Sequence, residues 1–330
     1  MTEPSELSAR PRRVFVLGAT GTIGKATVRA LVERGHDVVC FVRPGPDRSE
    51  DMFEGAHVRF GALTSAEALA GDGFRGEAFD VVLSCMASRM GAPKDAWAVD
   101  YQAHADALKA AKTAGVRQFV LLSAICVQKP VLAFQKAKLA FERELVASGL
   151  DYSIVRATAF FKSLSGQIER VKSGKSFLVF GDGRLTACKP ISDDDLGRYL
   201  AECVDDPARR NRVLPIGGPG PAITPMEQAE HLFALLGREP RVSRVPVAML
   251  DVIVAMLSAL GTAIPPLRDK AELARIGRYY ATESMLLLDP VTGRYDAGAT
   301  LEAGRDTLFE HYARLVAGED AVERGAHSVF

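Results

Sequence analysis

Apolar residues along this chain of 330 residues alternate between short unbroken runs and helical stripes. Arg13 to Leu17 (RVFVL) is a run that stops at glycine, which predicts a strand buried on both faces. GATGTIG follows, and then KATVRALVERG, where Ile23, Thr27, Ala30 and Leu31 recur at helical spacing and Gly35 marks the stop. DVVCFVRP predicts a second buried strand, HVRFGAL a poorer third, DVVLSCMAS a fourth, RQFVLLSA a fifth and DYSIVRA a sixth. Helices are predicted between them at Ser65 to Ala70, near Lys94 to Ala114 and near Leu132 to Ser148.

Strands that are apolar throughout and alternate with helices need a parallel sheet covered on both faces. Residues 12–158 are therefore expected to form the α/β core, a Rossmann-type doubly wound parallel sheet. Beyond them the rhythm breaks. KSFLVFGDGRLTACKPIS predicts a hairpin, SDDDLGRYLAECV a capped helix, and RVLPIGG (residues 212–218) a further strand returning to the sheet. A smaller, mainly helical substrate region is expected from 159–211 and 219–330, interleaved with the sheet. Residues 1–11 are polar, with no apolar stretch of signal-peptide type, and predict a disordered lead-in. Val247 to Ile264 is almost wholly apolar and approaches the about 20 residues that cross a bilayer. Asp251, Gly261 and prolines at both flanks predict a buried or interfacial helix instead.

Charge and composition narrow the chemistry. Lys plus Arg and Asp plus Glu number 41 each, so nothing in the charge supports nucleic-acid binding. Cys40, Cys85, Cys126, Cys188 and Cys203 lie far apart without a CxxC pair, which predicts free thiols in a reducing, cytoplasmic compartment. His36, His57, His104, His231, His311 and His327 have no metal-ligand spacing, and no metal is expected.

Gly18, Gly21 and Gly24 form GxxGxxG between a strand and a helix. The first permits a tight turn, the second lets backbone approach a pyrophosphate, and the third lets helix and strand pack closely. Thr20, Thr22 and Ile23 complete the expected cofactor turn. An NAD-preferring site usually carries an acid at the end of the second strand. Arg43 stands there instead, and a guanidinium suits a 2′-phosphate, so NADPH is the expected cofactor. Leu63, after the third strand, and Cys85 and Met86, after the fourth, are expected beside it.

This spacing resembles the extended and atypical branches of the short-chain dehydrogenase/reductases. Similar proteins often have Asp-Leu where this chain has Ala62-Leu63, which leaves adenine recognition to backbone groups. The usual chemistry of that superfamily runs on Ser, Tyr and Lys, the last two as YxxxK on one helix face. The matching fragment here is FQKAK: Phe134 stands in the tyrosine place, Lys138 is kept, and Ser123 closes the fifth strand. Phe134 cannot donate a proton. Either the chain reduces a polarised C=C bond, with Lys138 and Ser123 as its catalytic residues, or it is not an enzyme.

SAICVQKPVLAFQKAKLAFE, RATAFFKSLSGQIERVKSGKSFLVFGDG and ESMLLLDPVTGRYDAGATLEAGRDTLFEHY resemble the 3,8-divinyl (proto)chlorophyllide 8-vinyl reductases. The resemblance implies NADPH-dependent reduction of the 8-vinyl group of a divinyl chlorophyllide or protochlorophyllide to ethyl, in chlorophyll or bacteriochlorophyll biosynthesis. It also implies a tetrapyrrole substrate in an apolar slot, with Phe134, Phe160, Phe161 and the apolar helix from Val247 as candidate walls, and a peripheral contact with photosynthetic membranes. The proton donor stays open among water, Ser123 and Lys138. Two other functions compete: reduction of another conjugated C=C substrate, and a non-catalytic NADP(H)-binding sensor or assembly subunit.

Overall fold

The chain enters its sheet through β1 (Arg13–Leu17), in which Val14 and Val16 face one core and Phe15 and Leu17 the other. The computed structural model describes residues 10–319, so the expected lead-in lies almost wholly outside the described residues. After β1 come β2 (Asp37–Val42), β3 (Ala56–Phe60), β4 (Val81–Ser84), β5 (Gln118–Ala124) and β6 (Asp151–Ala157). β7 (Phe177–Phe180) lies outside the main sheet, and β8 (Arg212–Gly217) rejoins it beside β6.

All neighbours in the main sheet are parallel, in the order β3-β2-β1-β4-β5-β6-β8, and the short strand Leu301–Glu302 closes the β8 edge. This is the doubly wound α/β arrangement that the apolar runs predict. The helices Thr22–Glu33 and Asp193–Asp205 cover one face, and His104–Thr113 and Ala133–Val146 the other. The chain leaves β1 toward β2 on one side and returns through β4 on the other. The crevice between the ends of β1 and β4 is thus the topological switch point, where such sheets bind ligands.

The expected hairpin after Lys175 does not form. Gly181 and Gly183 turn the chain at positive φ, but β7 pairs in parallel with β9 (Val242–Val245). Phe177 and Val179 are buried against the helices Pro225–Leu235 and Leu308–Ala317, and this core brings the distant β9 alongside. A local turn signal yields here to a tertiary one.

The apolar segment forms the helix Val247–Ala263, antiparallel to Pro266–Thr282. Arg268 Nε donates to the Gly261 carbonyl at 2.9 Å, Arg275 to Ser258 Oγ at 2.7 Å, and Arg278 pairs with Asp251. The buried alternative for this helix is corrected by its outer face. Met249, Val252, Met256, Leu260 and Ile264 lie opposite the partner helix and are 46–65% exposed. Among the described residues, no helix is long and apolar enough to cross a membrane.

The close approach of helix and strand at the glycine turn yields a test. A Cβ on Gly24 would lie 2.1 Å from the Gly18 carbonyl oxygen and 2.9 Å from Ala19 backbone, whereas one on Gly71 would meet nothing within 4 Å. Gly24→Ala is expected to lower stability by about 1–3 kcal/mol in urea unfolding, with Gly71→Ala near neutral. Equal stability of the two variants would show that the turn relaxes freely.

Candidate active site

At the end of β1, Gly18 turns the chain with φ +76°, and a Cβ there would stand 2.6 Å from both Cys85 C and Met86 N. Gly18 is therefore required by the approach of the β4 end, and Gly24 by the Gly18 carbonyl. Gly21 differs. A Cβ on it would find its nearest atom at 3.5 Å, an ordinary contact, so the chain itself does not demand glycine there. Gly21 is the N-cap of Thr22–Glu33 and offers no side-chain cap. The first N–H groups of that helix have no side-chain cap, and with the positive end of its dipole they suit a dinucleotide pyrophosphate. Thr20 is half-buried in the turn, and Ile23 packs into the core.

The remaining cofactor candidates lie at the same strand ends. Arg43 follows β2 and is exposed, and the Arg48 guanidinium donates to its carbonyl oxygen. Arg48 thus brings a second cation to this end of the sheet, which its place in a PGPDR loop did not signal. Leu63 packs half-buried against the core beneath β3. Burial pushes the Cys85 thiol up to about 12, and its Sγ lies 3.6 Å from Thr27 Oγ1, so Cys85 offers backbone rather than thiolate chemistry. Met86 N donates to Ser84 Oγ at 3.3 Å, and Ser84 Oγ lies 2.8 Å from His104 Nε2. His104 Nδ1 is 2.9 Å from the Val99 carbonyl. That carbonyl can only accept, so Nδ1 carries the proton and Nε2 accepts from Ser84. Burial, aided by the nearby Lys138 charge, pushes His104 down to about 4.

Lys138 and Phe134 lie one turn apart on the helix Ala133–Val146. Lys138 Nζ is 3.0 Å from Asp100 Oδ1; its side chain is 11% exposed and that of Asp100 0%. Asp100 also accepts from Ser88 N at 3.2 Å and from Ser88 Oγ at 2.5 Å. It sits in the π-helical segment Trp97–Ala103, a backbone form that often marks functional sites. Asp100 was missed in the sequence, although it stands in the apolar stripe of Ala96, Ala103, Ala107 and Ala111. An acid in such a stripe must find a buried partner. Phe134 is half-buried beside Ile276 and Tyr279, and a Cβ on Gly91 would lie 3.3 Å from its ring.

Ser123 is 3% exposed and donates its hydroxyl hydrogen to Glu142 Oε1 at 2.6 Å. Arg156, its register neighbour across β5 and β6, holds the same carboxylate through Nε at 3.2 and 3.3 Å. Ser123 thus belongs to a buried Ser–Glu–Arg network. Of the aromatic candidates, Phe160 is half-buried just beyond β6, where it bridges to Ile191. Phe161 is a correction: it is 2% exposed, within the core of the second region, with its ring centroid 5.4 Å from that of His311. Its side chain fills that core and does not line a slot. Lys162, unremarked in the sequence because a lysine after a strand is ordinary, places Nζ 2.9 Å from Thr22 Oγ1 in the first turn of the nucleotide helix.

Comparison with known proteins accords with this geometry. Residues 18–207 match a family model described as NAD(P)H-binding. The NADPH-dependent quinone oxidoreductase of Escherichia coli shares the fold, with a TM-score of 0.65 at 18% identity over 92% of this chain and 99% of that one. The chain is accordingly an NAD(P)H-binding protein of the Rossmann fold. The chloroplastic divinyl chlorophyllide a 8-vinyl-reductase of Oryza sativa subsp. indica is 47% identical over 99% of this chain and 86% of that protein. The photosystem II assembly factor Ycf39 of Synechocystis is 26% identical, over 72% of each chain. The chain belongs to the divinyl chlorophyllide a 8-vinyl-reductase family.

The buried imidazole gives a pH test. With a folded pKa of about 4 against an ordinary 6.5, His104 binds a proton more readily in the unfolded chain. Its contribution to stability is complete above pH 6.5 and is lost as pH falls toward 4, by up to about 3 kcal/mol. Urea unfolding across that window should show a shallower slope for His104→Gln than for wild type. Identical slopes would assign the titration elsewhere.

Proposed function

We propose that this chain catalyses the NADPH-dependent reduction of the 8-vinyl group of divinyl chlorophyllide, or of its protochlorophyllide precursor, to ethyl. The observation that carries this reading is the 47% identity to a named vinyl reductase across nearly the whole chain. The assembly-subunit alternative has behind it relatives 24–27% identical.

Reducing a vinyl to an ethyl adds one hydride and one proton across a C=C bond. NADPH supplies the hydride when bound. The N-terminus of Thr22–Glu33, cleared by Gly21, would hold its pyrophosphate, and Arg43 with Arg48 would read the 2′-phosphate. Lys138, fixed by Asp100, keeps further N–H donors for the nicotinamide ribose. A carbonyl acid is not needed, because negative charge arising beside the ring spreads into the conjugated macrocycle. Phe134 then gives that macrocycle an apolar surface where a phenol would otherwise stand, and Phe160 is the second wall. Ser123 can release a proton only by giving up Glu142. The Lys138 ammonium, whose charge Asp100 balances, is therefore this chain's own proton source, at Nζ.

The same proposal places the protein at the surface of pigment-bearing membranes through the exposed row from Met249 to Ile264. A carbonate wash should release it from a membrane fraction, and retention would sink the peripheral reading.

Purified protein given divinyl chlorophyllide and NADPH should shift the Soret band slightly to the blue, as one conjugated vinyl is lost, and do so more slowly with NADH. Arg43→Ala should weaken NADPH about tenfold and NADH little, which narrows the preference. Lys138→Ala should abolish most turnover. No shift with wild type and NADPH would overturn the function; equal loss for both cofactors would remove Arg43 from 2′-phosphate recognition.

A further inference from the structure

The loop that leaves β4 beside the switch point is held at four places. Met86 N donates to Ser84 Oγ at 3.3 Å, and Ser88 gives both its N–H and its hydroxyl to Asp100, the partner of Lys138. Arg89 N donates to Asp95 Oδ2 at 3.0 Å. Gly91 has φ +67°, and a Cβ on it would lie 2.9 Å from Ile276 Cδ1 and 3.3 Å from the Phe134 ring. Met86, Ser88 and Gly91 are buried, whereas Arg89 and Met90 are exposed. The loop thus runs from the partner of Lys138 to the edge of Phe134, and between them it offers solvent one cation and one apolar side chain. Val131, just before the helix that carries Phe134, is exposed as well. Among the described residues the Arg89 guanidinium forms no ion pair, although Asp95 holds its backbone.

We propose that Arg89 is a substrate-binding residue that reads the free propionate carboxylate of the tetrapyrrole. The inference rests on the vinyl-reductase reading above and adds to it a selection for the unesterified acid. A chlorophyllide or protochlorophyllide carries this carboxylate on ring D, diagonally across the macrocycle from ring B and its 8-vinyl. A vinyl brought to the Lys138 end of the crevice leaves the carboxylate at the far rim, where a long side chain must reach out from a fixed backbone. A guanidinium suits a carboxylate there, through two parallel hydrogen bonds. Met90 and Val131 meet the apolar edge of the ring beside it. Because the carboxylate is remote from the reacting carbons, the contact is equal in the ground and transition states and acts on KM, not kcat.

Steady-state assays should compare divinyl chlorophyllide with its propionate methyl ester, with NADPH in excess and the same detergent for both. Wild type should show a KM about tenfold lower for the acid, at similar kcat. Arg89→Gln should raise KM for the acid to that of the ester and leave the ester unchanged, and Arg89→Lys should recover part of the difference. Lys94→Gln, the same loss of charge at an exposed site in the helix that follows, should change neither. Equal KM for acid and ester in wild type, an equal rise for both in Arg89→Gln, or the same effect from Lys94→Gln overturns the assignment. Wild type that reduced neither pigment would instead sink the vinyl-reductase reading on which it stands.

Discussion

The structure depends on how closely the end of β1 approaches the end of β4. A side chain on Gly18 would run into the backbone of Cys85 and Met86 at 2.6 Å, so only a residue without Cβ lets the two strand ends meet. That contact sets the switch point of the sheet. It aims the helix Thr22–Glu33 at the crevice and fixes the backbone that leaves β4. The Ser84–His104–Val99 hydrogen bonds hold the same backbone from below, through Met86 N. Glycine geometry above and a neutral imidazole beneath thus define one short stretch of main chain, which the nicotinamide end of a dinucleotide would meet.

The helix Ala133–Val146 then carries its chemistry as a ladder. Phe134, Lys138 and Glu142 follow one another at single-turn spacing, and the two ionised members are both paired out of solvent, one with Asp100 and one with Arg156. Buried ion pairs of this kind add little net stability, but removal of one partner is costly, because the other charge is left uncompensated. Their effect is geometric: Lys138 is held by Asp100, itself fixed by Ser88, with no need of a neighbouring phenol. A site that has lost its tyrosine can therefore keep its lysine in place.

What was legible in the sequence was whatever is local or periodic. The apolar runs from RVFVL to DYSIVRA, the glycine turn and the FQKAK register each carry their information within a few residues, and the sheet and the nucleotide turn follow from them. What was not legible depends on partners distant in the chain. β7 finds β9 some sixty positions away, and the strand Leu301–Glu302 is too short to show a period. The Val247–Ala263 helix is apolar over most of its surface, and two of its polar residues, Asp251 and Ser258, face the partner helix, the reverse of the usual pattern. Asp100 could have been read as an acid in an alanine stripe. Lys162 could not, because only the packing of the second region against the first carries it to Thr22.

Phe134 joins these observations to the chemistry. In a carbonyl reductase the group at this position must deliver a proton to an oxygen, and its hydroxyl must be kept wet or hydrogen-bonded. Here the half-buried ring packs against the apolar cluster that holds Leu132, Ile276 and Tyr279. A phenol hydroxyl introduced there would have to find a partner within that cluster or lose hydration at a cost of about 1–3 kcal/mol. The Tyr279 hydroxyl, a polar group of the cluster, already donates to the Cys126 carbonyl. The surroundings are therefore built for an apolar edge at position 134. A flat, conjugated substrate whose reacting carbons carry no oxygen is the kind of molecule such an edge suits.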